Sequence, residues 1–532
     1  MRQFIAAMLL ASVSMPAAAA PDAGMINKIV DQAMNHGEVV ETTAYLTDRI
    51  GGRLTNSPSM RVAEKWAQDK FKDYGLKKVR AEGFEFGRGW WIESANVKMV
   101  APRPVTLRSI PVAWTPATNG AITAPVIVAP MTKKEHFEEW RGKLAGKIVL
   151  VSYPDDPTDA TSPLFKRYES ADLAKMDEYE QPVTEKDALK RRIERRAFPK
   201  ALDAFLKAEG AVAWARMAYR NNGLVHGTGY AYGAGETPAL PAVELAAEDY
   251  RRLARLAKTG DVTLEVNSDV RFEDSDTKAY NIIAEIPGTD PKAGYVMAGA
   301  HLDSWVAADG AADNAAGSAV VLEAARILQT LGVKPKRGIR FVLWSGEEQG
   351  LHGSLAYIDQ HLAKRPMPVG EQAEAGRYGA LYNYPVTTLP GFKDMVAYFN
   401  MDNGGGKLRG VYAEGNFAAV PVLKEWLSPL ASLGATNVVA APTTGTDHVG
   451  MAAIGLPAFQ FIQDPLDYGS TVHHSDVDTF DHLRPQDLRQ AAAVMASVLL
   501  SAADSDKAIP RNVLPQQPKP TNPFEYDHPD ED

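Results

Sequence analysis

The sequence predicts an α/β architecture: a mostly parallel central sheet flanked by helices, with a smaller β-rich unit inserted into it. Three observations carry this expectation. After Asp276, short apolar runs alternate with helical stretches, the order expected of strand–helix–strand units. Those runs are apolar throughout rather than alternating, which marks strands covered on both faces. Between 120 and 275 the texture changes to short strands around one helix.

The elements follow in chain order. Residues 1–20 read as a secretory signal peptide: Arg2, an apolar run from Phe4 to Val13, then small residues ending in Ala17–Ala20. Residues 21–119 form the first part of the main unit. Ile26, Ile29, Val30 and Met34 recur at helical spacing, Gly51-Gly52 interrupts, and Asn56-Ser57-Pro58-Ser59 caps a second helix to Tyr74. Residues 78–118 alternate more and suggest strands. The inserted unit, 120–275, holds strands at Lys147–Ser152 and Val262–Val266 and a helix at Pro199–Ala208. Within it, 155–196 is a charged stretch without an apolar run, expected to be a solvated surface excursion. The main unit, 276–505, has strands at Tyr280–Ile286, Tyr295–Ala300, Ile339–Trp344, Met395–Asn400 and Pro457–Ile462, and helices at Ser318–Leu331 and Pro485–Ala503. The Pro-rich, acidic stretch 506–532 is expected to be a disordered tail.

Composition closes several routes. There is no Cys, so disulfides, cysteine zinc sites, iron–sulfur clusters and cysteine nucleophiles are excluded. Lys and Arg number 57 against 66 Asp and Glu, a net charge of −9 that argues against nucleic-acid partners. After residue 20 no apolar run approaches the roughly 18 residues of a membrane span, so no stable membrane insertion is expected.

The ends of the predicted strands are rich in metal-type side chains. Tyr295–Ala300 ends at His301-Leu302-Asp303, and the following loop carries Asp309 and Asp313-Asn314. Ile339–Trp344 runs into Ser345-Gly346-Glu347-Glu348, Met395–Asn400 into Met401-Asp402-Asn403, and Pro457–Ile462 is followed by His473-His474-Ser475. In an open α/β sheet, ligands bind beyond the carboxyl ends of the strands. Five segments therefore deliver His, Asp, Glu, Asp and His to one sheet edge.

That donor set suits two divalent ions about 3.5–4 Å apart, clamping a water and a carbonyl oxygen. A carboxylate shared between the ions holds them that close, and imidazole with carboxylate favours zinc, with manganese or cobalt as substitutes. Glu347-Glu348 can supply both a ligand and a general base. Asp303 can accept the second ring N–H of His301 and fix its tautomer.

These motifs resemble the co-catalytic di-zinc aminopeptidase family, metallopeptidase family twenty-eight. The resemblance rests on Gly299–Trp305 (GAHLDSW), Gly310–Gly317 (GAADNAAG), Trp344–Gly350 (WSGEEQG), Asn400-Met401-Asp402 and His473–Thr479 (HHSDVDT). Gly51-Gly52-Arg53 is similar to the family's N-terminal part, and 120–275 resembles the protease-associated domain often inserted in it. The His-Leu-Asp-Ser-Trp form is most similar to the plasma glutamate carboxypeptidase subgroup, which acts on short peptides. The resemblance implies that Asp313 bridges two Zn2+, that His301 and Asp402 complete one ion and Glu348 and His474 the other, and that Glu347 is the general base. It also implies a cis peptide at Asp313-Asn314. Where some relatives have a Tyr supporting the tetrahedral oxyanion, this chain has His473. Either His473 donates to the oxyanion or it binds metal in place of His474; the ligand directly preceding Ser475 in the family pattern favours His474. Asp447 and His448 stand where relatives place a substrate-facing loop.

The expected function is hydrolysis of a peptide bond near a free N-terminus, by an exported enzyme in the periplasm or outside the cell. The alternatives are a dipeptidase or glutamate carboxypeptidase activity on short peptides, glutaminyl cyclisation with one zinc, and a receptor-like binding protein. Peptide substrates are the expected partners, and a homo-oligomer is compatible with the sequence.

Overall fold

A computed structural model describes residues 23–158, 161–178 and 187–514. The signal peptide predicted at 1–20 and the tail beyond 514 lie outside the described residues.

The main sheet has eight strands, in the spatial order Lys77–Glu85, Lys278–Ile286, Gly338–Trp344, Tyr295–His301, Met395–Asn400, Ala458–Gln463, Leu408–Tyr412 and Asn437–Val439. The four in the middle run parallel to one another, and the outer pairings include antiparallel ones. The apolar runs predict a mostly parallel sheet flanked by helices; the sheet is mixed, parallel in four of its seven pairings. The middle strands read as unbroken Val, Ile, Phe and Met because helices cover both faces. On one face pack the helices Ala23–Asn35, Ala316–Thr330 and Pro485–Asp504, whose buried Ala319, Ala325, Ala492 and Ala496 let the backbones approach closely. On the other, Leu355, Tyr357 and Ile358 close over Trp344, Tyr398 and Met297.

Register decides where the chemistry falls. His301 pairs with Trp344, Gly299 with Asn400, and Asn400 with Gln460. The parallel strands therefore end at one level, and the residues just beyond each end emerge on one rim. The helix Pro58–Asp73 starts where the Asn-Ser-Pro-Ser signal predicts, with the Ser57 side chain accepting from the Met60 N–H.

Three expectations need correction. The second eight-stranded sheet does not begin at 120. Its strands Gly89–Ala101, Val105–Leu107 and Ser109–Pro111 come from the stretch assigned to the main unit, and Gly89–Ala101 forms a long antiparallel pair with Thr263–Glu273. Alternation gave strands but could not say which sheet they join. The charged stretch 155–196 is not merely a solvated excursion. Arg167 bridges Asp464 and Asp487 at 3.0 and 2.8 Å, and the helix predicted at Pro199–Ala208 extends back to Ala188, where its Arg-rich half lines the central cleft. Polar residues that pair across units look, in sequence, like residues facing solvent. Finally, the start of the predicted tail is docked at two points: Ile509 is buried, and Arg511 donates to the carbonyls of Phe392, Lys393 and Met395.

Candidate metal centre

All five predicted segments meet at the rim of the main sheet. His301, the last residue of its strand, points Nε2 at two carboxylates, 3.1 Å from Asp313 Oδ1 and 3.2 Å from Asp402 Oδ1. Asp313 turns its other oxygen the opposite way, and Oδ2 lies 3.3 Å from His474 Nε2. His474 Nε2 is also 2.9 Å from Glu348 Oε2. One aspartate thus stands between two histidines, each of which also meets a second carboxylate.

The turn carrying Asp313 is pinned from three sides. The Asp478 carboxylate accepts the N–H groups of Ala312 and Asp313 at 2.7 and 3.0 Å. Asn314 donates to the Met401 carbonyl and accepts from the Gly317 N–H, tying the turn to the next strand end. The Asp313–Asn314 peptide is cis, as the resemblance implies, and Gly310 enters the turn at φ 59°, where a Cβ would stand 2.3 Å from that of Ser304. Beneath it the fully buried Arg53 donates to the carbonyls of Leu302, Gly51, Asp309 and Gly310. Burial brings that guanidinium down to about 10, against the pull of Asp478, Asp303 and Asp309.

Asp303 acts differently from the expectation. The His301 Nδ1 partner is the Asp303 backbone carbonyl at 2.9 Å; the carboxylate is 3.7 Å away, too far for a hydrogen bond. The carboxylate instead accepts the backbone N–H groups of Glu347 and Glu348, each at 3.3 Å, and the Thr55 hydroxyl at 3.1 Å. It fixes the Glu-Glu turn while its own carbonyl sets the imidazole.

The last histidine loop is held by the second sheet's unit. Arg220 donates to the carbonyls of His473, Thr471 and Gly469 at 2.5, 3.4 and 3.0 Å. Val225 and Asp476 exchange hydrogen bonds, and Arg108 pairs with Asp476 at 2.5 Å. His474 sits at φ 59°. The His473 ring lies against it, tilted by 31° with centroids 3.6 Å apart, and is 3.9 Å from Asp313 Oδ2. Both rings reach Asp313, but His474 is the nearer and the one paired with Glu348. Sequence reasoning missed Tyr468, whose hydroxyl donates to Asp313 Oδ2 at 3.0 Å; an aromatic hydroxyl six residues before His474 was the available signal.

Asp447 and His448 do not face the cleft. Both are fully buried; Asp447 accepts from Ser354 at 2.5 Å, and His448 Nε2 lies 3.1 Å from Glu414. Of that loop, the cleft lining takes Gly445.

The electrostatics test whether metal ions fit. Asp313, Glu347, Glu348 and Asp402 are four buried carboxylates around two imidazoles. Burial pushes Glu347 up, with Asp402, Asp447 and Glu348 adding to it; burial and Asp313 push Glu348 up to about 7. Burial opposes the charged form of His301, yet Asp402 and Glu347 raise it well above the ordinary imidazole range. Glu348 Oε1 has no hydrogen-bond partner among the described residues. A buried surplus of carboxylate with an orphaned oxygen is the donor chemistry that cations satisfy, so the residues fit a pair of divalent ions.

The cluster opens into a cleft of about 1330 Å³ between the two sheets, lined by Asp313, Glu347, Glu348, Asp402, His473 and His474 on its floor. Fold and donor cluster together define the class, a metallopeptidase with the zinc aminopeptidase fold. More particularly, the model of Peptidase family M28 matches residues 281–499 of the chain. Across 89% of its length it is 26% identical to bovine (Bos taurus) carboxypeptidase Q, covering 86% of that protein. Among solved structures it is similar to a peptidase M28 precursor from Shewanella amazonensis (TM-score 0.65, 23% identity, 93% of this chain and 99% of that one). It is also similar to a zinc aminopeptidase from Bacillus subtilis (TM-score 0.56, 18% identity, 89% and 98%). At these identities the two structures speak for the fold alone.

Proposed function

We propose that this chain is an exported di-zinc exopeptidase that hydrolyses peptide bonds near a free N-terminus. The observation that carries the reading is Asp313, whose two oxygens face two separate histidines beside the Glu347-Glu348 pair, of which Glu348 meets His474 and both line the cleft. His301, Asp313 and Asp402 are the residues that would hold one Zn2+, and Asp313, Glu348 and His474 the other. Bound there, the ions would supply Lewis-acid polarisation of the scissile carbonyl and ready ionisation of the attacking water. Glu347, held by its backbone N–H on Asp303, takes the proton from that water and returns it to the leaving amine. His473, beside Asp313 on the cleft side, would donate to the oxygen that gains charge, while the Tyr468 hydroxyl orients Asp313. Export rests on the signal-peptide pattern of residues 1–20.

A second reading, cleavage of dipeptides or of residues next to a free C-terminus, is favoured by the likeness to carboxypeptidase Q over most of both chains. One experiment covers both: zinc-loaded protein against aminoacyl p-nitroanilides and short peptides blocked at either end, before and after chelation. Activity that needs a free amine and returns with zinc supports the proposal. Equal turnover after exhaustive chelation refutes it.

A further inference from the structure

Across the cleft from the candidate metal centre stands one face of the helix Ala188–Ala208. Arg192, Arg195 and Arg196 occupy i, i+3 and i+4 positions, which share a helix face, and all three line the cleft. The helix leans over the residues that follow the Glu-Glu pair: a Cβ on Gly350 would lie 4.0 Å from Arg192 Nη2. An aromatic path joins the two walls. The His474 ring is 6.1 Å from Trp305, Trp305 is 5.6 Å from Tyr230, and the Arg196 guanidinium lies 6.0 Å over the Tyr230 ring. The Tyr230 hydroxyl is within electrostatic range of both His474 and Arg195.

The other cations of this cleft already have acceptors. Arg216 is paired with Glu244 at 2.7 Å, Lys200 with Glu236 and Glu374, and Arg251 donates to Asp155 O and Asn221. Arg192 is engaged with the Ala375 carbonyl and the Tyr378 ring. Arg196 hydrogen-bonds the Tyr232 hydroxyl, but neither it nor Arg195 pairs with a carboxylate among the described residues, although Arg195 is exposed and Arg196 only half-buried. Two guanidinium groups from successive residues of one helix, both lining a concave, aromatic-lined wall and neither on a carboxylate among the described residues, form a receptor for an anionic planar group.

We propose that Arg195 and Arg196, with the Tyr230 hydroxyl, bind the free α-carboxylate of a short peptide whose scissile bond lies at the metal centre. This rests on the peptidase reading and narrows its substrate class to short peptides with an unblocked C-terminus. It also gives the charged stretch a function: part of a specificity-determining wall.

The test compares matched di- and tripeptides ending in a free acid or an amide, using zinc-loaded full-length protein. The readout is the ratio of kcat/KM for acid over amide. For the wild type the ratio is expected to be about tenfold or more, the scale of a charge-assisted hydrogen-bond pair. In Arg195→Ala/Arg196→Ala it falls towards one, mainly through KM for the acid. Arg195→Lys/Arg196→Lys keeps part of it, since charge survives without the fork. A wild-type ratio of one, or a double-alanine variant that keeps the wild-type ratio, overturns the proposal while leaving the peptidase reading intact. Protein that cleaves neither form with zinc present removes both.

Discussion

Removing the Arg220 guanidinium tests whether the second sheet's unit helps to build the metal centre. In Arg220→Ala three backbone carbonyls, those of Gly469, Thr471 and His473, lose their donor immediately ahead of His474. A hydrogen bond from a charged donor contributes about 1.5–3 kcal/mol when well buried. One of these is a weak 3.4 Å contact and Arg220 is half-buried, so about 2 kcal/mol for the set is the reasonable figure. If His474 must be held in place to bind, that cost appears as a fall of roughly 30-fold in affinity for the ion it shares with Glu348. This agrees with the usual 10- to 100-fold cost of losing a group that orients a ligand. The His301–Asp402 side keeps its affinity, because its supports come from Asp303, Asp478 and Asn314. The assay is a zinc titration against a competing chromophoric chelator, fitted to two sites, with thermal unfolding run alongside. Arg220→Lys should recover part of the loss. Two unchanged dissociation constants in Arg220→Ala would show that the loop keeps its shape unaided and refute the reasoning.

Further outcomes follow from the same geometry. Glu347→Gln should retain both zinc ions yet lose about 10²–10⁴-fold in kcat; near-normal turnover with full metal content removes the base assignment. Tyr468→Phe deletes one hydrogen bond to Asp313 and is expected to lower kcat more than it raises KM, read by steady-state kinetics at saturating zinc. Glu244 gives a pH test. Burial disfavours its charge, but Arg216 and His226 outweigh this and hold it down to about 2. A carboxyl depressed on folding contributes stability above its unfolded value of 4.5, here about 3 kcal/mol, and loses it as pH falls from there towards 2. The stability gap between wild type and Glu244→Gln in urea unfolding should therefore be widest near pH 7 and narrow by pH 3; a constant gap contradicts the assignment.

Much of the fold was legible because buried parallel strands announce themselves as apolar runs. Tyr295–His301, Gly338–Trp344 and Met395–Asn400 fall within a residue or so of expectation. The ligand-type residues were legible for a related reason: each directly follows such a run, so register alone brings them together. What stayed hidden acts through backbone groups or across long sequence separations. Nothing in a His-x-Asp spacing says that the carbonyl of Asp303, rather than its carboxylate, meets the ring. Arg220 and Asp476 serve loops about 250 residues away in sequence, and Arg53 is a buried cation whose acceptors are all carbonyls. Asp447 and His448 looked polar enough for a cleft but are enclosed inside the main unit, beside Ser354 and Glu414. The strands between 89 and 111 carried no mark of which sheet would receive them.

The central claim is that Asp313 is shared by two bound cations, and metal content measures this most directly. Elemental analysis of zinc-equilibrated, gel-filtered protein should give two ions per chain for the wild type and fewer than one for Asp313→Ala, with far-ultraviolet circular dichroism confirming that the variant is folded. A wild type that retains one ion or none, or a folded Asp313→Ala that still carries two, would contradict it.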